Sequence, residues 1–301
     1  MAEKKVLVFK SGFVSIIGKP NVGKSTLLNQ LLGRKLAPVS KKPQTTRQTI
    51  HGIRTDHDSQ MIFVDTPGFH KPKDPLGRVM VAAARKAFGE ADLIYLLVDP
   101  KSPDQEDENI LNHLGRHKGP VFLVLNKVDL LQDKQMMLPV MDCYQKKFTF
   151  KELVPISALH GIQCDVLIGK TKEYLPEGPQ YFPADMVSDQ PEPEIVKELI
   201  REKVVRFTGE EIPYVTAVVV DDFKTRENGL LEIRATVVVD KESQKGILIG
   251  KGGGKMKQIG QAARQDLERF FGRKVYLNLW VKVITGWRKD PARLKQLGYE
   301  V

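Results

Sequence analysis

The 301-residue chain has little cysteine and no long apolar run, and these two features argue against a disulfide-rich protein and a membrane-spanning protein. Cys143 and Cys164 are its only cysteines, too few for a disulfide framework, which favours a reduced compartment. No apolar run approaches the roughly 20 residues that a membrane span requires. Because Met1–Lys10 also lacks the apolar core of a signal peptide, we expect a cytoplasmic protein.

The histidines are scattered without the spacing of zinc ligands, so we expect no zinc site. Separately, the chain has fewer acidic than basic residues. The formal net charge of +10 is compatible with a nucleic-acid partner, an anionic membrane surface or simple solubility. Its distribution is more informative, because Lys245–Lys295 holds 13 basic and 3 acidic residues whereas residues 187–244 hold 8 and 13. The positive charge is therefore concentrated near the C-terminus of a chain long enough for about two domains.

The first half alternates near-continuous apolar runs, typical of buried strands, with stretches of helical pattern. This alternation predicts an α/β fold of three layers with a mostly parallel sheet. His51–Thr55 and Gln60–Val64 flank a turn and predict an antiparallel edge strand. The other predicted strands are Phe13–Ile17, Leu93–Val98, Val121–Leu125 and Leu153–Ile156, and the predicted helices are Lys24–Leu32, Arg78–Phe88, Gln105–Leu114, Gln135–Phe148 and Cys164–Tyr174.

Five prolines interrupt Leu175–Pro193 and predict a linker, because proline removes a backbone donor and blocks helices. We predict a first domain over residues 1–176, a linker over 177–193 and a smaller α+β domain over 194–301. Hydrophobic periodicity in the last part predicts the order helix, strand, strand, helix, helix, strand. These elements are Ile195–Phe207, Val215–Val220, Leu231–Val239, Ser243–Ile249, Lys255–Phe271 and Val275–Val283.

Gly18–Ser25 matches the phosphate-binding pattern G-x-x-x-x-G-K-[ST] between a predicted strand and a predicted helix. Glycines let backbone N–H groups converge on phosphates, and the helix N-terminus adds its dipole. We expect Lys24 to reach the β- and γ-phosphates and Ser25 to ligate Mg²⁺. Asp65, which opens Asp-Thr-Pro-Gly after another strand, is the second expected metal contact, and Gly68 offers its N–H to the γ-phosphate.

Asn126–Asp129 follows the predicted strand Val121–Leu125 and favours guanine over adenine. The Asp129 carboxylate can accept two hydrogen bonds from guanine N1–H and the 2-amino group, a donor pair that adenine lacks. We expect Asn126 and Lys127 to brace the loop and flank the base. Ser157–Leu159 follows the next strand and could offer a backbone N–H to guanine O6.

Ser40–Thr49 is polar and basic and has no apolar periodicity. We interpret it as a mobile switch, solvated when no nucleotide is bound, whose threonine closes on Mg²⁺ when a γ-phosphate is present. Thr46 is the predicted ligand, with Thr45 as the alternative. The six basic residues of Arg34–Arg54 are expected beside the polyanionic nucleotide.

Gly250-Lys-Gly-Gly253 is a G-x-x-G sequence between two predicted helices, within the basic C-terminal block. Such a loop lets a nucleic-acid backbone approach closely, and a KH domain clamps about four single-stranded nucleotides there. The element order resembles the type II KH arrangement. We expect Trp287 either to stack on a base or to close the sheet. The predicted RNA contacts are Gly250, Lys251, Gly252, Gly253, Lys255, Lys257 and Arg288.

These segments together resemble the small GTPases of the translation-factor class. The specific sequences Gly-Lys-Pro-Asn-Val-Gly-Lys-Ser and Pro-Gln-Thr-Thr-Arg resemble those of the Era family of bacterial ribosome-assembly GTPases. The resemblance covers essentially the whole chain, since Era proteins also carry a C-terminal KH domain. It implies a switch that hydrolyses GTP slowly and binds the 3′ end of 16S ribosomal RNA while the small (30S) subunit matures. It further implies weak peripheral contact with the inner membrane, and we expect a monomer.

Phe69 stands where Ras-like enzymes carry the glutamine that orients the attacking water, and a phenyl ring cannot do this. Resemblance to GTPases with an asparagine like Asn21 implies that K⁺ beside the phosphates is a substitute. The residues expected to act in hydrolysis are Lys24, Thr46, Asp65 and Gly68, and the expected Mg²⁺ ligands are Ser25, Thr46 and Asp65. The residues expected to bind GTP or GDP are Gly18, Lys19, Pro20, Asn21, Val22, Gly23, Lys24, Ser25, Thr26, Asp65, Thr66, Pro67, Gly68, Phe69, Asn126, Lys127, Val128, Asp129, Ser157, Ala158 and Leu159.

Three alternatives stay open at this point. An ATP-using kinase is disfavoured by Asn126–Asp129, and an RNA-binding chaperone whose nucleotide fold is only structural is disfavoured by Lys24, Ser25 and Asp65. A related GTPase of the Der type, acting on the large subunit, is disfavoured by a single rather than a tandem GTPase domain.

Overall fold

The structure, a computed structural model, describes residues 8–40, 42, 47–68, 74–209 and 211–299. Contacts divide the chain into two compact units. The first unit comprises residues 1–33, 49–70 and 83–189, and the second comprises residues 34–48, 71–82 and 190–301. The second unit is thus assembled from three stretches of sequence. Among the described residues, no helix combines the length and the apolar character that crossing a membrane demands.

The described residues of the first unit form an α/β fold. Its strands are β1 (Lys10–Ile17), β2 (Ile50–Thr55), β3 (Ser59–Asp65), β4 (Leu93–Val98), β5 (Val121–Leu125) and β6 (Glu152–Pro155). Its helices are α1 (Lys24–Leu32), the last part of α2 (Pro75–Gly89), α3 (Gln105–Leu114), α4 (Met137–Gln145) and α5 (Cys164–Tyr174). The sheet order is β2-β3-β1-β4-β5-β6, and every neighbouring pair is parallel except β2 with β3. This confirms the predicted fold class and its antiparallel edge strand.

Helices cover the sheet of the first unit, which explains why its strands are apolar without alternation. All six residues of β4 and all five of β5 are buried. On one face, Leu96 and Leu123 pack in a cluster with Ile110 of α3 and Tyr144 of α4. Tyr95, the residue before Leu96 on β4, projects from the opposite face of the sheet and forms a hydrogen bond with the hydroxyl of Thr171 in α5. Burial on both faces is what a parallel sheet between two helical layers requires.

The part of the proline-rich segment that belongs to the first unit runs against β2 and β3. Gln60 is fully buried, and its Oε1 accepts hydrogen bonds from the backbone N–H groups of Tyr181 (2.8 Å) and Phe182 (2.9 Å). The N–H of Ile53 donates to the carbonyl of Val187 at 2.7 Å. The prolines prevent regular structure here, and neighbouring strands satisfy the exposed backbone groups instead.

The second unit contains a three-stranded sheet over its described residues. Its strands are β7 (Ala217–Thr225), β8 (Leu231–Val239) and β9 (Val275–Val283), and its helices are α6 (Glu192–Phe207), α7 (Ile212–Val215), α8 (Glu242–Ile249), α9 (Gly254–Phe271) and α10 (Pro291–Gln296). The order is β7-β8-β9, antiparallel and then parallel. The series α6, β7, β8, α8, α9, β9 confirms the predicted type II KH arrangement. Helices α6 and α9 pack against each other, and Ile259, Ala263 and Leu267 are the buried face of α9.

Trp287 closes one end of this sheet, which is one of the two roles predicted for it; the other is to stack on a base. Its side chain is fully buried, and its indole N–H donates to the carbonyl of Val215 at 3.1 Å. It belongs to a cluster with Val238 of β8 and with Leu76 and Met80, from the start of α2. Helix α2 begins at Pro75, three residues before the predicted start, because proline is tolerated in a first turn and Asp74 accepts the N–H of Gly77 at 2.8 Å.

The prediction that Ser40–Thr49 is solvated is wrong for Arg47, whereas Ser40, Lys42, Gln48 and Thr49 are partly exposed. Arg47 is 1% exposed and lies within the second unit. Its guanidinium donates to the carbonyls of Thr216 (2.6 Å) and Pro213 (2.7 Å) and to the hydroxyl of Tyr299 (3.3 Å). The sequence could not show this, because the acceptors lie more than 160 residues away along the chain.

The positive charges of this stretch also have different partners from those expected. Lys35 lies in the second unit, 2.7 Å from a carboxylate oxygen of Glu202 and 2.6 Å from one of Asp266. Lys42 donates to the carbonyl of Val205 at 2.9 Å. Basic charge near the phosphate-binding loop in sequence is therefore used for internal pairing in the second unit.

Candidate functional site

The predicted phosphate-binding loop follows β1, and two of its glycines are required by crowding. Gly18 has φ +151° and Gly23 has φ +102°, both in the region that favours glycine. A Cβ on Gly18 would lie 2.3 Å from the carbonyl oxygen of Leu97, and one on Gly23 would lie 2.4 Å from Nδ2 of Asn126. The backbone can therefore turn tightly here because no side chain is present.

Lys24 begins α1, and its side chain folds back over the loop. Its ammonium donates to the carbonyls of Gly18 (3.1 Å) and Lys19 (2.8 Å) while the residue is only 7% exposed. Burial lowers the pKa of Lys24 to about 8, an effect that the charge of Asp65 partly offsets. A buried ammonium held by carbonyls alone is poorly solvated, and a phosphate group would supply the missing negative charge.

Ser25 and Asp65 meet at the point where β3 ends and α1 begins. The Ser25 hydroxyl donates to Oδ2 of Asp65 at 2.7 Å, and Asp65 is fully buried. A hydroxyl and a carboxylate in contact are oxygen ligands of the kind that Mg²⁺ prefers, so the donor set fits this metal. Gly68, the next glycine along, approaches the loop so closely that a Cβ would lie 3.2 Å from Pro20.

The segments predicted to hold the base converge on the other side of the loop. Asn126 donates from Nδ2 to the carbonyl of Val22 (2.8 Å) and accepts the N–H of Ala158 (2.9 Å). Lys127 donates to the carbonyl of Asn21 (2.6 Å) and forms an ion pair with Asp99 (2.9 Å). Both residues therefore brace the loop, as expected.

Asp129 lies beside Ser157, whose hydroxyl donates to its Oδ1. The second oxygen of Asp129 is 3.9 Å from Nε2 of His160. Leu159 between these residues is 69% exposed. The carboxylate chosen for guanine recognition is thus oriented by a hydroxyl at the mouth of the site.

Sequence reasoning missed the contacts of Lys19. Its ammonium is 2.7 Å from Asp104 and 2.7 Å from Asp107, at the start of α3. Asp104 also caps α3 by accepting the N–H groups of Glu106 and Asp107, and Lys19 lowers the pKa of Asp104 to about 2. The spacing of Asp104 and Asp107 could have revealed the capping box, but not the lysine that reaches it.

Three predicted residues, Thr45, Thr46 and Phe69, lie outside the described residues. The other predicted nucleotide contacts fall in the two loops after β1 and β3 and the two loops after β5 and β6. The structure brings these loops together at the carboxyl edge of the parallel sheet, where ligands of such folds bind. The individual roles of the residues toward nucleotide stay predictions.

The G-x-x-G loop connects α8 to α9 in the second unit. Gly252 and Gly253 have φ +57° and +76°, and a Cβ on either would meet open space. Lys251 and Lys257 are exposed and Lys255 is half-buried. Arg288 lies elsewhere in the unit, where its guanidinium is 3.5 Å from a carboxylate oxygen of Asp74.

Known proteins resemble both the part of the chain with the phosphate-binding loop and the part with the G-x-x-G loop. A family model described as 50S ribosome-binding GTPase matches residues 13–127, and a KH domain model matches residues 211–288. GTPase Era of Lactobacillus helveticus (strain DPC 4571) is 49% identical over 300 residues, which cover 100% of this chain and 98% of that protein. GTPase Era of Ruminiclostridium cellulolyticum is 50% identical, covering 97% of this chain and 98% of that protein.

Solved structures give the same result in three dimensions. A variant of Aquifex aeolicus Era bound to GDP and AlF4⁻ has a TM-score of 0.94 at 42% identity, covering 97% of this chain and 100% of the other. Era in complex with MgGDPNP and nucleotides 1506–1542 of 16S ribosomal RNA has a TM-score of 0.93 at 42% identity over the same shares.

The fold and the site define a GTPase with a phosphate-binding loop, followed by a KH domain. Because its relatives match at about half identity over essentially their whole length, the chain belongs to the Era family of GTPases. It hydrolyses GTP to GDP and phosphate.

The lowered pKa of Lys24 predicts that nucleotide binding takes up a proton. Phosphate charge favours the ammonium form, so binding raises a pKa that burial has lowered, and the amine is partly neutral only in the free protein. We expect uptake of about half a proton per GDP near pH 8, little near pH 7, and nearly one near pH 9. Calorimetry in buffers of different ionisation enthalpy measures this uptake.

Lys24→Arg provides the control, because arginine stays protonated throughout this range and should remove the pH-dependent uptake. Uptake by the unmodified protein that does not change between about pH 7 and pH 9 would show that Lys24 is already fully charged without nucleotide.

Proposed function

We propose that this GTPase is a nucleotide-controlled switch that binds single-stranded RNA during assembly of the small ribosomal subunit. We assign GTP binding to residues 1–176, apart from residues 34–48 and 71–82 of the second unit, and RNA binding to residues 194–301. The observation that carries the proposal is the combination of a crowded phosphate-binding loop in one unit with an open G-x-x-G loop in the other.

In the GTP-binding module, separate side chains bind the phosphates, the guanine base and Mg²⁺. Lys24 holds the phosphates from within the loop, and Asp129, oriented by Ser157, selects guanine. Ser25 and Asp65 hold Mg²⁺, joined by Thr46 from the switch segment. When bound, Mg²⁺ neutralises phosphate charge as it develops during hydrolysis. The N–H of Gly68 and the ammonium of Lys24 donate to phosphate oxygens.

RNA binding rests on the surroundings of the G-x-x-G loop. Ile247 and Ile249 of α8 are 47% and 36% exposed just before Gly250, so an apolar strip adjoins the loop. Lys251 is exposed at the loop itself. An apolar floor beside an open backbone loop suits unstacked bases whose phosphates pass over the glycines. The Era complex with nucleotides 1506–1542 of 16S ribosomal RNA supports the 3′ end of that RNA as the ligand.

Replacing Gly252 tests this RNA site with a matched pair. Asn and Asp both tolerate its positive φ, and a side chain there meets open space, so Gly252→Asn and Gly252→Asp should fold alike. Only the aspartate repels phosphate. We expect Gly252→Asp to weaken binding of a 16S 3′-end oligonucleotide about tenfold or more relative to Gly252→Asn, with GTP hydrolysis unchanged. Equal RNA affinity of the two variants in a filter-binding titration would contradict the site.

Communication between nucleotide and RNA is proposed to pass through Arg47. Its guanidinium is buried in the second unit on the carbonyls of Thr216 and Pro213, at the entry to β7. Thr46, the proposed Mg²⁺ ligand, is its covalent neighbour, so the backbone cannot move at one residue without the other. Closure of Thr46 on Mg²⁺ would therefore change how firmly Arg47 is held by the RNA-binding module.

Arg47→Ala should lower this coupling. The ratio of RNA affinities measured with a non-hydrolysable GTP analogue and with GDP is expected to fall to about 1, since reciprocal coupling needs a shared element. Arg34→Ala is the matched control, because Arg34 belongs to the same stretch but is exposed. A ratio that Arg47→Ala leaves at the unmodified value, while the variant remains folded by circular dichroism, would exclude Arg47 as the coupling residue.

K⁺ is proposed to assist hydrolysis beside Asn21. This residue is exposed on the loop with φ +66°, and its side-chain oxygen is a hard ligand suited to an alkali cation. We expect GTP hydrolysis to be several-fold faster in KCl than in NaCl. Asn21→Gly keeps the backbone conformation accessible and should abolish the difference. Equal rates in the two salts would contradict the proposal.

A further inference from the structure

Strand β9 carries two large aromatic side chains in solvent. Trp280 is 63% exposed and Tyr276 is 47% exposed. Residues four apart on a strand share a face, and the strand rise separates these two by about 13 Å. Leu279 points to the other face, where its Cδ1 would lie 3.7 Å from a Cβ placed on Gly260 of α9. The two aromatics thus project away from α9.

The sheet around these side chains is polar. In the parallel register, Glu232 is paired with Tyr276, Arg234 with Asn278 and Thr236 with Trp280. Thr236 donates to Asp221 at 2.7 Å. Farther along the same face, Val238 is covered by the cluster of Trp287. The open half of this face therefore consists of two aromatic rings surrounded by hydrogen-bonding groups.

Beside Tyr276 the cations lie outside the carboxylate with which they pair, although Asp221 on the same sheet is also exposed. Arg226 and Arg234 have side chains 46% and 47% exposed, whereas the side chain of their partner Glu232 is 11% exposed. The guanidinium of Arg226 is also 5.5 Å from the centre of the Tyr276 ring. Hydrogen bonding from Arg226 lowers the pKa of Glu232, so this carboxylate stays ionised beneath the cations. Lys282, two residues beyond Trp280, is exposed as well.

We propose that Tyr276 and Trp280 form a second RNA site, a stacking platform for single-stranded bases on the face of β9 opposite the G-x-x-G groove. Exposed aromatic rings interleaved with cations are the chemistry that holds single-stranded nucleic acid without reading its sequence. Asn278 lies between the rings and can hydrogen-bond a base edge. Lys282 and the two arginines face the phosphates.

This platform rests on the proposed RNA-binding function and extends it. A G-x-x-G clamp holds only about four nucleotides, so a longer strand must leave the groove. Helices α8 and α9, which flank the G-x-x-G loop, pack against β9, and the two aromatics project from the face opposite Leu279. Because β9 is the edge strand of the sheet, an RNA that leaves the groove can pass around this edge. The platform binds the flanking nucleotides of a longer RNA.

The surroundings favour RNA over a protein partner. The centre of a protein interface is depleted of charged residues, whereas here one ion pair borders Tyr276 and another includes Arg234, which is paired with Asn278 between the two rings. Arginine beside an aromatic ring is, in contrast, a common arrangement for stacking a base.

Two RNAs distinguish the platform from the clamp. One is a 16S 3′-end oligonucleotide of about six nucleotides, and the other is the same sequence extended by about ten adenosines at each end. We expect Trp280→Ala to weaken binding of the extended RNA about tenfold and to change binding of the short RNA less than about twofold. Trp280→Phe should retain most of the affinity, since a phenyl ring also stacks. Tyr181→Ala, which removes an aromatic that is 51% exposed in the first unit, is the control.

Fluorescence gives a direct reading, because the chain has only two tryptophans and Trp287 is fully buried. Extended RNA should quench the emission of Trp280, and this quenching should be absent in Trp280→Phe. Unchanged affinity of Trp280→Ala for the extended RNA, or an equal loss for both RNAs, would overturn the platform, and a protein would then be the better occupant. Failure of the unmodified protein to bind even the short RNA would instead refute the proposed function.

Discussion

The parallel pairing of β1 with β3 and β4 is the constraint on which the nucleotide site depends. It aligns Ile16 with Asp65 and Ile17 with Leu96, so the phosphate-binding loop and the carboxylate of Asp65 emerge at the same edge. That edge is crowded, and Gly18 must turn against the carbonyl of Leu97 without a side chain. The same crowding buries Lys24 with two carbonyls as hydrogen-bond partners, which lowers its pKa to about 8. The order of the strands therefore determines the chemistry of the lysine.

In the second unit, buried charged side chains are stabilised by backbone carbonyls and by ion pairing. Arg47 comes from a stretch far from the KH sequence, yet it satisfies carbonyls at the start of β7. Arg201, 1% exposed, pairs with Glu198 in the same unit. Breaking a buried ionic contact by removing one partner is costly, so these contacts hold the unit in one arrangement. The coupling that we propose for Arg47 rests on this burial.

Strand β9 shows how one alternating sequence can serve two surfaces. Its odd-numbered residues face the helices beside the G-x-x-G loop, whereas Tyr276, Asn278 and Trp280 face solvent. The two tryptophans differ accordingly, since Trp287 is buried in a cluster and Trp280 is 63% exposed. Residue type alone does not distinguish them. They are distinguished by the pairing of β8 with β9 and by the start of α2, which packs in the cluster of Trp287.

Sequence by itself determined the fold class and the positions of the phosphate-binding loop, of the Asn126–Asp129 loop and of the G-x-x-G loop. Each of these is encoded locally, by hydrophobic period or by a short motif between a strand and a helix. Tertiary structure alone decided that Lys19 reaches Asp104 and that Lys35, Lys42 and Arg47 find their partners inside the second unit. These contacts join residues 85 to more than 160 positions apart, and a charge on an isolated segment carries no information about which distant group will neutralise it.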